Sequence, residues 1–172
     1  MGRGQQKMAA GPGLEAWIYN PADEHDPRLP HRHHPNRPVS QAHLSELGVL
    51  NSKVDVDELQ KQGATLIDQI IRDFGYQYWE IVTLAPHLVD NFKELTDKFF
   101  HEHLHPYDES RIILEGNGYW DIPDYDGTMI RFRVEKGDMI TLPPGMYHRF
   151  TMDTNDYIKA SNIALQGSSR KN

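Results

Sequence analysis

The chain has 172 residues, a length that suits one domain with a sizeable core. Its net charge of −7 and its pI near 5.8 provide no basic face, so binding to RNA or DNA is disfavoured. The absence of cysteine excludes disulfides, thiolate catalysis and cysteine-ligated metals, and it leaves histidine and carboxylate as the plausible metal ligands.

The two ends of the chain are polar. Residues 1–13 are rich in glycine and lack the apolar core of a signal peptide, and no stretch of the sequence approaches the length of a membrane span. We therefore expect a flexible leader over residues 1–13, one domain over 14–165 with its metal-binding core at about 91–165, and a short tail over 166–172. The expected protein is a cytoplasmic monomer, with the nucleus as a second compartment.

The first third of the chain predicts a strand, a connector and a helix. Residues 16–19 (AWIY) are strand-like, and the proline-rich stretch that follows to residue 40 excludes regular structure. Its histidines are interpreted as solvated loop residues, because no carboxylate stands at a ligand spacing from them: His25, His31, His33 and His34. Ser40 is the expected N-cap of a short helix that ends at Gly48.

Two further predicted helices precede the point where the sequence pattern changes from helical spacing to short alternating runs. Apolar residues recur at helical spacing from residue 57 to 74, namely Leu59, Leu66, Ile67, Ile70, Ile71 and Phe74, and Gly75 closes the run. Asn91 and Glu94 resemble a capping box that opens a helix with an apolar face of Phe92, Leu95 and Phe99. After about residue 102, short alternating runs punctuated by Gly, Pro and Asp predict a β-sandwich or barrel.

A row of alternate histidines occupies the start of this β-rich half. His101, His103 and His105 are followed by Glu109, Arg111 and a turn-like GNG at 116–118. Residues two apart on a strand point to the same face, so His103 and His105 can bind one metal together with Glu109. Two histidines and one carboxylate can occupy one face of an octahedral metal ion, which leaves its other positions open. His101 is the rival ligand, disfavoured because its spacing would place the carboxylate at Tyr107.

A second motif adds a fourth ligand. In GDMITLPPGMYH, residues 137–148, a Pro-Pro-Gly turn would return a strand with His148 facing inward. The two motifs together resemble those of the cupin superfamily, whose small antiparallel barrels hold a metal through three histidines and a glutamate. Asp97 stands where the first motif begins with glycine, and Met152 replaces a frequent asparagine. Neither position is a ligand.

Longer stretches resemble the acireductone dioxygenase family over residues 14–160, including DPRLPHRHHPNRPVS, FGYQYWEIVTL and MIRFRVEKGDMITLPPGMYH. The resemblance implies a mainly β cupin barrel (a double-stranded β-helix or jelly roll) with N-terminal helices. It assigns the metal to His103, His105, Glu109 and His148. It makes Arg111 the catalytic, substrate-contacting residue, and it places Phe99 or Phe100, and Phe150, in the pocket. Trp17, Trp79 and Trp120 are interpreted as packing residues.

The family's reaction follows from the same resemblance. One Fe(II) or Ni(II) per monomer is implied, with acireductone and O2 as substrates. Fe(II) gives 2-oxo-4-(methylthio)butanoate and formate, and Ni(II) gives 3-(methylthio)propanoate, formate and CO. The pathway is methionine salvage.

Two other functions, and a purely structural role for Arg111, stand beside this reading. Asn162 occupies the position of a second substrate-contacting arginine in the family, and SNIALQGSSRKN departs from the family's C-terminal segment. Both features favour a slow enzyme, or an inactive metal-binding cupin that serves as a binding or regulatory protein. A dioxygenase for a thiol or a flavonol is the third reading. Arg111, for its part, could pair with Glu109 as barrel structure alone.

Overall fold

The computed structural model describes residues 13–62, 68, 71–72, 75–76 and 78–164. In this part the elements are β1 Ala16–Ile18, β2 Pro38–Val39, α1 Gln41–Glu46, β3 Leu50–Lys53, α2 Val56–Gln62, β4 Tyr78–Leu84, α3 Phe92–Phe100, β5 Glu109–Pro123, β6 Met129–Glu135, β7 Asp138–Leu142, β8 Arg149–Met152 and β9 Ile158–Ala164. The protein is mainly β, and its described helices all precede the long strand β5, which confirms the predicted fold class. Among the described residues, no helix is both long and apolar enough to cross a bilayer.

Strand β5 organises the curled antiparallel sheet. Its first half pairs with β7 on one side and β9 on the other, and its second half pairs with β6 and β8. Strand β4 extends the sheet beyond β9, β3 extends it beyond β7, and β1 and β2 extend it beyond β6. One long strand therefore belongs to both halves of the sheet, and its first residue is Glu109.

Gly116 bends this strand where the sequence predicted a turn. The chain continues as one strand of 15 residues, so the prediction of two strands separated by GNG is wrong. Gly116 has φ +81°, and a Cβ at this position would lie 2.3 Å from the carbonyl oxygen of Tyr157. Only glycine accepts both conditions. The register also shifts between Ile113 and Glu115, so the strand curves around the barrel and does not reverse.

The alternation of side chains along β5 divides the core in two. Ile113 faces the inside of the curled sheet and packs with Trp120, Phe132 and Phe150. Ile112 faces the outside, where it packs in a second cluster with Leu59 of α2. Both isoleucines are fully buried, and each burial contributes about 1.5–3 kcal/mol to folding.

The first helix forms as predicted. The Ser40 side chain accepts a hydrogen bond of 3.1 Å from the His43 backbone N–H, and Gly48 takes a left-handed conformation after the helix. The helix at residue 91 also exists, but the predicted capping box is wrong. Asn91 has φ 56°, and its side chain makes no capping hydrogen bond.

Only part of the helix predicted over residues 57–74 is described. Helix α2 covers its beginning, residues 68, 71 and 72 are helical, and the Tyr76 N–H donates to the Ile71 carbonyl over 2.8 Å. Leu66, Ile67, Ile70 and Phe74 lie outside the described residues, as do residues 1–12 and 165–172. The domain boundaries, the leader and the tail therefore stay predictions.

The proline-rich connector is held against the barrel. Its backbone carbonyls accept hydrogen bonds from barrel side chains: Trp17 Nε1 donates to Pro30, and Arg131 Nη1 donates to Pro27 and Leu29, over 2.5–2.9 Å. The interpretation of its histidines as solvated is wrong for His31, which is 2 % exposed and stacks on Tyr19. The prolines exclude regular structure from most of the connector, and most of its residues are exposed, but His31 is buried.

Candidate metal centre

His103 and His148 are brought together by a single antiparallel bridge. Each residue donates its backbone N–H to the carbonyl of the other, over 2.9 and 2.8 Å. His103 follows α3 in an irregular segment, and His148 immediately precedes β8. A further bond of 2.8 Å joins the Gly145 N–H, in the predicted Pro-Pro-Gly turn, to the His105 carbonyl. The two sequence motifs thus meet through their backbones.

Backbone carbonyls fix the tautomers of two histidines. Nδ1 of His103 lies 2.7 Å from the carbonyl of His101, and Nδ1 of His148 lies 3.0 Å from that of Met146. A carbonyl oxygen can only accept, so each Nδ1 carries a hydrogen, and in the neutral imidazole each Nε2 therefore presents its lone pair. Metal-ligating histidines are commonly oriented in this way.

Glu109 completes the cluster from the first position of β5. Its Oε2 lies 3.1 Å from His105 Nε2 and 2.9 Å from His148 Nε2, and its Oε1 lies 3.1 Å from Arg111 Nη2. Burial alone would raise the pKa of Glu109, but Arg111, His105 and His148 outweigh it and hold that pKa well below its usual value. The carboxylate is therefore ionised and available to a cation.

The donor set suits a metal ion. Ligand atoms of His103, His105 and His148 all lie within 4.8 Å of one another, which makes these histidines a group that could hold an ion. Within the described residues, Glu109 Oε2 and His148 Nε2 are buried without a hydrogen bond, although they are only 2.9 Å apart. Two buried polar atoms that approach without hydrogen-bond geometry are what converging ligands present to a shared cation.

An apolar cavity opens beside this cluster. Its apolar walls come from β4, β9 and the inner face of the sheet: Val82, Leu84, Trp120, Phe150, Ile158 and Ala160. Arg111 and Asn162 add the polar wall next to Glu109. The sequence analysis did not identify Val82, Leu84, Ile158 or Ala160 as cavity residues, and it interpreted Trp120, which also lines the cavity, as a packing residue. The alternation of Ile158, Ala160 and Asn162 along β9 was the available signal, since residues two apart share a face.

The sequence matches known proteins over most of its length. The model of the ARD/ARD' family matches residues 15–164. Acireductone dioxygenases of Monodelphis domestica and Homo sapiens are 44% and 42% identical over 150 residues, covering 87% of this chain and 82% of each relative. Acireductone dioxygenase 4 of Arabidopsis thaliana is 42% identical, covering 87% of this chain and 79% of the plant protein. The chain belongs to the ARD/ARD' family.

A solved acireductone dioxygenase shares the fold. The Bacillus anthracis protein, with a cadmium ion in its active center, superposes with a TM-score of 0.69 at 23% identity, covering 92% of this chain and 96% of its own. The curled sheet and N-terminal helices are therefore those of an acireductone dioxygenase, as the resemblance to the cupin superfamily predicted.

The rival ligand His101 and the pocket candidate Phe100 both lie away from the cavity. His101 is exposed and is not in the group formed by His103, His105 and His148. Phe99 lines the cavity and lies 6.5 Å from Phe150, ring centre to ring centre. Phe100 lines a different cavity, under the guanidinium of Arg149. Consecutive helical residues point about 100° apart, so α3 directs only Phe99 toward the cluster.

Proposed function

We propose that the protein is a metal-dependent dioxygenase that oxidises acireductone with O2 in methionine salvage. The observation that supports this proposal is the convergence of three imidazoles and the ionised Glu109 at one end of an apolar cavity, with Arg111 beside them. The Monodelphis domestica relative, which is 44% identical to this chain, is named for this reaction. The Bacillus anthracis protein, named for the same reaction, was solved with a divalent cation in its active center.

His103, His105, Glu109 and His148 would hold one Fe(II) or Ni(II). Both metals accept imidazole-rich octahedral sites, and four protein ligands leave two positions for a substrate. When bound, the metal supplies a Lewis acid that favours the deprotonated, electron-rich enediol and brings it together with O2. The two backbone carbonyls behind His103 and His148 keep the imidazole lone pairs directed at the ion.

Arg111 would bind the anionic oxygens of the substrate. Its guanidinium is 18 % exposed and lies against Glu109, so its charge acts in a partly desolvated wall where it is weakly screened. It favours the ionised enediol electrostatically, the form that reacts with O2. The apolar walls, with Phe99 and Phe150, would receive the methylthioethyl chain and exclude water from the enediol.

The products would depend on the metal. The family resemblance implies 2-oxo-4-(methylthio)butanoate and formate with Fe(II), and 3-(methylthio)propanoate, formate and CO with Ni(II). A test loads the protein separately with each metal and records the spectrum of the anaerobic substrate complex. Oxygen is then admitted, and the products are separated by chromatography, with CO measured in the gas phase.

A second candidate function rests on Asn162. The cavity presents this neutral side chain where the family resemblance places an arginine, which favours a metal-binding protein that holds the ligand without turning it over. In the same experiment, a spectral change on anaerobic binding followed by no consumption of O2 would identify a binding or regulatory protein. Release of formate would identify the enzyme.

The sequence also leads us to expect a cytoplasmic monomer, with the nucleus as a second compartment.

A further inference from the structure

The three histidines of the candidate metal centre are not held in the same way. Nδ1 of His103 and Nδ1 of His148 each donate to a backbone carbonyl, over 2.7 and 3.0 Å. Within the part of the chain that the structure describes, no carbonyl holds Nδ1 of His105. Metal-ligating histidines usually have such a partner, because it fixes the orientation of the ring. The orientation of the His105 ring therefore needs another source.

An aromatic ring stands beside His105 instead. The ring of Tyr107 lies against the imidazole of His105, with ring centres 5.2 Å apart and planes 11° from parallel. This is an offset stack, one of the arrangements that aromatic pairs prefer. The rings of His103 and His148 lie at similar distances from His105, 5.2 and 5.3 Å, but at 71° and 51° to its plane. Of these three neighbouring rings, only that of Tyr107 is stacked on His105.

The backbone next to this stack is constrained. The carbonyl of His105 accepts a hydrogen bond of 2.8 Å from the Gly145 N–H, and Pro106, with its fixed φ, joins His105 to Tyr107. The freedom that remains to His105 is rotation of its side chain, which is 23 % exposed. In the observed rotamer, Nε2 lies 3.1 Å from Glu109 Oε2 and is directed into the cluster. The stack restricts rotation of the ring away from that direction.

We propose that Tyr107 is a positioning residue, whose ring holds the plane of the His105 imidazole so that Nε2 stays directed at the metal. The inference rests on the proposed function, because His105 is a ligand of that same site. Tyr107 is not among the residues that line the cavity, so it acts through His105 and not on the substrate. The stack joins the faces of two rings, so its effect depends on the ring of residue 107 and not on the phenolic hydroxyl.

The first measurement is the dissociation constant of Ni(II), obtained by calorimetry in competition with a chelator of known affinity. A pH of about 8 keeps unliganded imidazoles neutral. In Tyr107→Ala the His105 side chain must be ordered when the metal binds, so the affinity should fall by about three- to tenfold. Tyr107→Phe keeps the ring and should bind Ni(II) as tightly as the wild type.

Tyr125→Ala is the matched control for this affinity. Tyr125 also contacts a histidine, since its ring centre lies 6.2 Å from that of His43, but His43 is not in the group that could hold an ion. The control removes the same side chain from a tyrosine–histidine contact elsewhere in the fold. Its Ni(II) affinity should equal that of the wild type.

The second measurement uses the metal-free protein. The ring current of Tyr107 should shift the NMR signals of the His105 ring protons, and His105→Ala serves to assign these signals. Tyr107→Ala should abolish the shift, and Tyr107→Phe should retain it. The thermal unfolding midpoint of the metal-free protein should differ little between the wild type and these two variants, whereas a residue that only stabilises the fold would lower it.

Two results would overturn the inference and leave the proposed function intact. One is an unchanged Ni(II) affinity in Tyr107→Ala, and the other is an equal loss of affinity in Tyr107→Phe. An affinity that falls only together with the unfolding midpoint of the metal-free protein would also overturn it. Failure of the wild type to bind Ni(II) would instead overturn the proposed function, and this inference with it.

Discussion

His103 and His148 face each other across one isolated bridge, with their ring centres 4.5 Å apart. Two backbone hydrogen bonds set this distance, and the two residues are 45 positions apart in the chain. The bridge joins the segment after α3 to the segment before β8. The candidate metal centre therefore depends on backbone pairing as well as on its side chains.

Replacing His105 or His148 by alanine should abolish stoichiometric metal binding. The remaining donors cannot complete the set, and the buried Glu109 loses a neighbour that offsets its burial. The measurement is metal content by mass spectrometry after loading with Ni(II) and gel filtration. His101→Ala is the matched control, because its exposed side chain is not in the cluster. An equal loss of metal in that control would show that the chosen pair of histidines is wrong.

Metal binding by the wild type should weaken below about pH 6, where imidazoles become protonated.

Arg111→Lys should keep the metal but weaken catalysis. An ammonium supplies the charge but cannot reproduce the planar guanidinium, so kcat/KM should fall by about ten- to a hundredfold. Steady-state oxygen uptake and metal content are measured on the same preparation. A variant that loses its metal would indicate that Arg111 mainly orients Glu109, which it contacts over 3.1 Å.

Phe99→Ala should raise the KM for substrate, whereas Phe100→Ala should leave it nearly unchanged. The two residues are neighbours at the end of α3, but only Phe99 lines the cavity beside the cluster. Truncating the ring removes apolar contact with the substrate chain, at a cost of about 1–3 kcal/mol in kcat/KM. Both variants are compared at matched metal content. The opposite ranking would mean that α3 presents its other face to the substrate.

Asp121→Ala should destabilise the fold strongly. Asp121 is 1 % exposed, accepts two hydrogen bonds from the fully buried Arg131 over 2.6 and 2.8 Å, and accepts a third from Arg149 over 2.7 Å. Removing it leaves a buried cation without its counter-charge, which costs about 3–5 kcal/mol. Denaturant unfolding measures the loss. The exposed pair of Asp57 and Lys136 is the control, and Asp57→Ala should leave the denaturant midpoint nearly unchanged.

His43 should titrate above the ordinary histidine pKa. The hydrogen bond to Asp124, at 2.9 Å, raises the pKa of His43, and Glu46 adds to the shift. A raised folded-state pKa means that the pair stabilises the protein fully below the unfolded pKa of about 6.5, and that the stabilisation is lost as pH rises through the folded pKa. Asp124→Asn should therefore reduce stability at about pH 5 more than at about pH 8. NMR titration of the His43 ring measures the pKa directly, and an unchanged pKa in the variant would contradict the assignment to Asp124.

The sequence by itself determined which types of metal ligand are present and much of the local structure. The absence of cysteine, the alternate histidines before Glu109 and the second motif ending at His148 indicated a histidine and carboxylate site. Ser40 and Gly48 marked the ends of α1 correctly. These features depend on residue type and short-range spacing, which a chain displays before it folds.

Only the tertiary structure decided which residues meet. It joined His148 to His103, buried His31 in the connector and directed Phe99 and Phe100 to different cavities. It also turned a predicted turn at Gly116 into a bend, because the neighbouring strand brings the carbonyl of Tyr157 within 2.3 Å of where a Cβ would stand. Each outcome depends on strand register or on packing between segments distant in sequence. Such long-range pairing leaves no periodic signal in the residues that it brings together.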